Sequence, residues 1–290
     1  MNRQAVASFA ARSAFCVLLS GTPALNRPSE LFSQIDMLRP GSLGSWSSFT
    51  QEHCKPKKTR WGTEYKGATN LPALFSKLQP IMIRRKKTDV LTQLPDKRRQ
   101  YVPVEMNTNV LGTLGAMRDQ LKDLKRDSPM YGKLWSECVM ATGVSKVPLV
   151  LEYLSDLLEG GCKVLVFAHH IKVLDAIEQE LFRTKAGHIR IDGSVCPSDR
   201  QLRCKEFQSN ENVRVALLGL LAAGQGITLT AADTVLFAEM SVTPGIMLQC
   251  EDRAHRIGQR CSVNIHYLVA KSTIDEEIWR MIGSKLSVVG

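Results

Sequence analysis

Between residues 163 and 270 short, continuous apolar runs alternate with segments whose apolar positions recur every three or four residues. The runs are KVLVFA (163–168), HIRID (188–192), VRVALLGL (213–220), TVLFAEM (234–240) and SVNIHYLVA (262–270). Runs that are apolar throughout predict strands buried on both faces, which is the condition of a parallel sheet covered by helices. Helices are predicted over 171–183 and 197–208, and a last one opens on a capping box from Thr273 to Glu276. Another begins at Val147, where Val147, Val150, Leu151, Leu154 and Leu158 share a face. Pro148 suits its first turn and Gly160-Gly161 its end. The fold class is α/β.

The first half of the chain is patterned less clearly. Ala14 to Leu19 is six apolar residues long and predicts a core strand, with Ser20-Gly21-Thr22-Pro23 as a sharp turn at its carboxyl end. Pro28 then opens a helix with Leu31, Ile35 and Leu38 in one stripe, closed by Pro40-Gly41. Positive charge gathers in 55–60, 84–87 and 97–99, interleaved with Trp46, Phe49, Trp61 and Tyr65. Such runs are commonly solvated surface; aromatic interleaving raises a nucleic-acid-facing surface beside that reading. Residues 107–145 mix helical stretches with Gly112, Gly115, Pro129 and Gly143, and are expected to be a linker or brace.

Composition narrows the classes. With 44% hydrophobic and 23% charged residues among 290, the chain is that of a globular protein with a sizeable core. A net charge of +10 favours an anionic partner such as nucleic acid. The eight cysteines are scattered with no C-x-x-C pair for zinc, and read as reduced thiols. No apolar run approaches the roughly 20 residues of a membrane span, and no membrane partner is expected. Residues 1–29 mimic a targeting segment, being basic, serine-containing and free of acids until Glu30, but Arg12 interrupts the apolar stretch and a buried strand fits better.

Two stretches carry candidate chemistry. Gly224 and Gly226 in AAGQGITLTAAD allow backbone N–H groups to approach an anion, and Thr228 and Thr230 add hydroxyls. In QCEDRAHRIGQR, Gln249 is followed by Arg253 and Arg256, three apart, two guanidinium forks suited to a polyphosphate. Either stretch alone also reads as a turn or a solvated helix. Both are expected at the carboxyl edge of the sheet, where α/β domains bind ligands. His169 and His170 stand at a strand end with no acidic or cysteine partner nearby in sequence, so a polar loop contact is expected and no metal.

The ordered set SGTP, FAHH, RIDGS, AAGQGITLT and QCEDRAHRIGQ resembles the SWI/SNF-type helicase-like ATPases of superfamily two. Within them, residues 146–170 and 262–279 look most like the HepA-related annealing helicases, which remodel stalled forks. The resemblance implies a second RecA-like helicase lobe over 146–290, a brace over 106–145, and over 1–105 the tail of a first lobe with a basic helical insertion. It implies that Arg256 is an arginine finger supported by Arg253 and Gln249, and that Gly224, Gly226 and Thr228 belong to the loop linking nucleotide to DNA. Ser20, Gly21 and Thr22 match a motif coupling the lobes, and His169, His170, Asp192, Gly193, Arg84 and Arg85 fall to the DNA track. ATP and Mg²⁺ are the implied cofactors, DNA and a first lobe the implied partners with a single-strand-binding protein as a further candidate, and the nucleus the implied location.

The chain departs from that pattern. It contains no G-x-x-x-x-G-K-[ST] phosphate loop and no Asp-Glu pair ending an apolar strand to hold Mg²⁺. It is therefore expected to begin late in the first lobe and to hydrolyse ATP poorly alone. Gly219, Leu221 and the stretch Ser241-Val242-Thr243-Pro244 also differ from what relatives carry, which weakens the expected coupling of DNA to ATP. The alternatives are a non-catalytic DNA-binding half-motor and a nucleosome remodeller, the latter without any visible histone-binding segment.

Overall fold

The structure, a computed structural model, describes residues 3–24, 27–59, 62–65, 67–85, 87–222 and 226–289. They fall into two compact units that meet in the chain between Thr92 and Gln93.

The first unit holds α1 (Arg3–Ala11), α2 (Ser29–Leu38), α3 (Trp46–His53), a small hairpin of β1 (Lys57–Thr59) and β2 (Gly62–Glu64), α4 (Leu71–Leu78) and the short α5 (Lys87–Val90). Its core is built from Leu31, Phe32, Ile35, Leu43, Phe49, Cys54, Leu74 and Leu78. The expected strand over 14–19 is absent: the segment is irregular, with Phe15 and Leu19 both 92% exposed. An apolar run becomes a strand only beside a hydrogen-bonding neighbour, and among the described residues none pairs with it. Of the aromatic residues expected to face nucleic acid, Phe49 is in this core and Tyr65 packs against it, while Trp46 stays exposed with its ring against theirs. Phe32, Trp46, Phe49 and Tyr65 pack ring against ring at 5.2–6.4 Å. Trp61 lies outside the described residues.

The second unit is a six-stranded, wholly parallel sheet in the order β3-β8-β7-β4-β6-β5. Its strands are β3 (Lys97–Val104), β4 (Val164–Ala168), β5 (His188–Ile191), β6 (Val215–Gly219), β7 (Thr234–Phe237) and β8 (Val263–Ala270). Its helices are α6 (Thr108–Asp123), α7 (Pro129–Glu159), α8 (Ile171–Arg183), α9 (Pro197–Ser209), α10 (Pro244–Glu251) and α11 (Ile274–Val289). Alternation along β4 sends Leu165 and Phe167 into one core and Val164, Val166 and Ala168 into the other, so both faces are covered. The division at Thr92 falls earlier than residue 105, because β3 pairs along its whole length with β8.

The expected brace divides into α6 and the first half of α7, and that half forms one element with the expected helix at Val147. Helix α7 runs 31 residues straight through Pro148. The carbonyl that loses a donor there belongs to Val144, which is exposed. Ser128 caps its start, accepting the Met130 N–H at 3.2 Å. The cap of α11 differs from the expected box: the Thr273 hydroxyl takes the Asp275 N–H at 3.2 Å.

By length and composition α7 is the one helix among the described residues able to cross a membrane. Its packing assigns it to the core. Lys146 is fully buried, donating to the Leu268 carbonyl at 2.9 Å and to the Asp275 carboxylate. Cys138 in its first half joins one core and Val147, Val150 and Leu154 in its second half join the other. The helix thus crosses from one face of the sheet to the other, and it does so at Gly143. A Cβ there would stand 2.2 Å from Oε1 of Glu239, which follows β7.

Candidate functional site

Helix α10 descends beside β7 and β8 from the carboxyl toward the amino ends of the strands, and the arginine turn begins where it stops. The turn is anchored there by two contacts. Gln259 donates to the Ala232 carbonyl at 2.8 Å, just before β7, and His255 Nε2 lies 2.7 Å from the Pro95 carbonyl, just before β3. The expectation that this motif sits at the carboxyl edge is therefore corrected: a helix antiparallel to its strands carries it to the opposite side.

The two arginines differ in setting. Arg253 is buried and donates to the Ile227 carbonyl at 3.1 Å, while its Nε has no acceptor among the described residues. Burial first, then the neighbouring Arg256, lowers its pKa, and a guanidinium stays charged regardless. Arg256 is exposed and donates to the Thr228 hydroxyl at 3.1 Å. Gly226 lies in the same loop at φ +73, a backbone state open to glycine. The structure thus joins Thr228 to Arg256 and sets Gly226 two residues away; Gly224 lies outside the described residues. Gln249 is half-buried on α10. Exposed charge, an adjacent hydroxyl and a glycine loop suit a phosphate.

Glu251 fixes this turn. It is fully buried, receives Lys97 at 2.7 Å and Arg99 at 2.7 and 2.8 Å, and accepts the Tyr267 hydroxyl at 2.5 Å. Burial alone would raise its pKa; the hydrogen bond from Arg99 and the two positive charges outweigh that and hold it below the ordinary glutamate range. Tyr267 continues a stack of rings with Phe237 and Phe167 at 4.7 and 5.4 Å. Lys97 and Arg99, in a charge run expected at the surface, thus turn onto a buried carboxylate. The signal available was strand alternation, which turns Lys97 and Arg99 to one side.

The carboxyl edge holds different groups. Buried Glu239 accepts the backbone N–H groups of His169 and His170 at 2.7 and 2.8 Å and contacts His170 Nδ1 at 2.7 Å. Burial would raise its pKa; these bonds prevail and lower it. The histidine pair thus has an acidic partner, far away in sequence. Asp192 is buried and engaged by Arg190 at 2.8 Å and by the Ser194 N–H and hydroxyl at 2.9 and 2.6 Å, with Gly193 exposed beside it. A cleft of about 410 Å³ next to Asp192 sets Arg190 and Arg203 against Glu178, Asp192 and Asp199, so it offers a phosphate no net positive charge. Ser20, Gly21 and Thr22 lie in an irregular segment of the first unit, where the Thr22 N–H donates to the Ser20 hydroxyl at 3.1 Å. Arg84 and Arg85 are exposed in the same unit.

Residues 3–111 match the SNF2-related domain and 146–258 the helicase conserved C-terminal domain. The chain is 44% identical over 279 residues to the SWI/SNF-related matrix-associated actin-dependent regulator of chromatin subfamily A-like protein 1 of Xenopus tropicalis, covering 94% of this chain and 30% of that one. It is 42% identical over 289 residues to the DNA annealing helicase and endonuclease ZRANB3 of Homo sapiens, covering 94% and 26%. The chain belongs to the SWI/SNF-type family of superfamily-two helicases.

It spans about 30% of the length of these relatives. The Sulfolobus solfataricus SWI2/SNF2 ATPase core domain has the same fold, with TM-score 0.57 at 22% identity over 92% of this chain and 58% of that one. The six-stranded unit is thus a RecA-like lobe of that family, whose ATPases use nucleotide and metal. Of the implied cofactors, a nucleotide phosphate fits Arg256, Thr228 and the unpartnered Nε of Arg253. For Mg²⁺ the fit is lacking: among the described residues no three histidine, cysteine or acidic side chains converge.

Proposed function

We propose that the chain is part of an ATP-dependent DNA translocase of the annealing-helicase kind, acting in the nucleus on branched or stalled-fork DNA. The observation that carries this reading is the meeting of Arg256 with Thr228, which brings two motifs far apart in sequence to one exposed, positively charged spot. Bound nucleotide would supply the phosphoryl group there. Arg256 would stabilise charge on it as an arginine finger, an effect of about 10³ to 10⁵ in rate in other nucleotide hydrolases. Arg253, pinned by the Ile227 carbonyl, holds the turn that presents Arg256. The first unit would supply the lobe-coupling segment Ser20 to Thr22 and the exposed Arg84 and Arg85 toward DNA.

The test joins the chain to a phosphate-loop lobe and measures hydrolysis of ATP stimulated by forked DNA. Arg256→Ala abolishes turnover and keeps most DNA affinity; turnover that survives the change overturns the finger assignment. The net charge of +10 also supports a second reading, a DNA-binding half-motor without catalysis. In that case the chain alone binds forked DNA with a steep salt dependence and hydrolyses no ATP.

A further inference from the structure

A second cleft, of about 340 Å³, lies among α6, the turn after it, α7 and α11. Three cations, Arg118, Lys122 and Arg126, line it against one carboxylate, Glu277. That balance is the reverse of the cleft at Asp192. Lys122 is held by Asp119 at 2.6 Å, which leaves the two arginines for a ligand. Arg118 donates from Nη1 to the Ser272 carbonyl at 2.9 Å, and its buried Nε has no acceptor among the described residues. Arg126 is exposed.

The remaining wall is aromatic. Tyr131 and Trp135 sit one turn apart on α7, with ring centroids 6.1 Å apart and planes inclined by 22°, and both are half-buried. Neither forms any part of the arginine turn. The place in the fold is also informative. Ser272 lies two residues beyond the end of β8, and the half of α7 that carries both rings precedes its crossing at Gly143, so the cleft stands at the carboxyl edge, as do His169 and His170.

Near-parallel rings beside arginines suit an unpaired base and its phosphate, because every base has a π-face and guanidinium takes phosphate oxygens in pairs. A base inside a duplex has both faces occupied by its neighbours and offers neither to a side chain. A volume near 340 Å³ is at the small end of ligand sites, the scale of one nucleotide. We propose that this cleft is a single-strand subsite, in which one unpaired nucleotide lays its base against Tyr131 and Trp135 and its phosphate on Arg118 and Arg126. The proposal rests on the reading of the chain as DNA-binding, and gives it a means to distinguish the unpaired arm of a branched substrate from its duplex arms.

The experiment titrates the whole chain with fluorescent oligo(dT) and, separately, with a blunt duplex, following anisotropy and tryptophan emission. Oligo(dT) quenches emission in the unaltered chain and quenches it less in Trp135→Phe. Tyr131→Leu and Arg126→Glu each weaken oligo(dT) by roughly tenfold, the scale of one lost stacking or phosphate contact, and weaken the duplex less than twofold. Arg126 is exposed on the turn, so its variant carries the test if Tyr131→Leu fails to fold. Equal losses on both probes, or none on oligo(dT), overturn the subsite while the DNA reading stands. Binding of neither probe overturns both. Competition by polyglutamate but not by oligo(dT) makes the cleft a docking place for an acidic peptide and overturns the proposal.

Discussion

Two buried glutamates stand at opposite ends of the same sheet, and each organises a loop by different means. Glu251, toward the amino ends, is surrounded by charged side chains from β3 and a tyrosine from β8. Glu239, at the carboxyl edge, binds two backbone N–H groups and one imidazole, all from consecutive residues. The first is a clamp between elements distant in sequence; the second shapes one turn. A clamp of that kind fails as a whole when its acid is removed, because its cations lose their common partner. The turn keeps most of its chain geometry.

The largest expected effect follows from that difference. Glu251→Ala should destabilise the second unit by about 3–5 kcal/mol, the usual cost of breaking a buried ion pair, read as a lower urea midpoint. A midpoint unchanged within about 0.5 kcal/mol would mean that Lys97 and Arg99 are as well satisfied by water. Next comes Gly143→Ala, whose methyl would meet Glu239 Oε1 at 2.2 Å. A loss of about 1–3 kcal/mol is expected from overpacking, with the His169 and His170 resonances shifted in NMR spectra. Shifts confined to α7 would show that the helix yields rather than the glutamate.

Glu239→Gln is expected to cost less, about 1–2 kcal/mol, since an amide oxygen still accepts the backbone donors. Its pH dependence sharpens the contrast. Both glutamates have folded pKa values below the ordinary 4.5. Their stabilisation is thus complete above that value and disappears as pH falls through the depressed folded values. Urea midpoints measured from pH 6 downward should fall below about pH 4.5, and Glu239→Gln should remove only part of that slope, leaving the part due to Glu251. The smallest effect on stability belongs to Arg256→Ala. An exposed side chain with one bond to a hydroxyl should change the midpoint by less than about 0.5 kcal/mol. A larger loss would make Arg256 a structural residue.

The alternating strands and helices from residue 163 onward were legible because burial on both faces leaves continuous apolar runs such as Val164 to Ala168. The same rule misread 14–19, whose composition is similar, since composition does not reveal whether a neighbouring strand exists. Pro148 suggests a helix start in sequence, but an exposed carbonyl one turn earlier lets the helix pass through it. Arg256 and Thr228 could be named from their motifs. The groups that shape the surrounding loops could not: Lys97 and Arg99 on Glu251, Glu239 on His169 and His170, and Gln208 on the Ala231 N–H at 2.8 Å act across long sequence separations that no local pattern encodes.

The parallel order of the sheet has a consequence for how the chain reaches its folded state. Strand β3 is the first of its unit in sequence, yet among the described residues its one neighbouring strand is β8, the last. As the chain emerges during synthesis, β3 has no edge to join until almost everything else has been made. Until then Glu251 lacks Lys97 and Arg99, and Lys146 lacks both the Leu268 carbonyl and Asp275. The clamp beneath the arginine turn therefore closes in the same late step that completes the sheet. No partly made second unit has the turn in place.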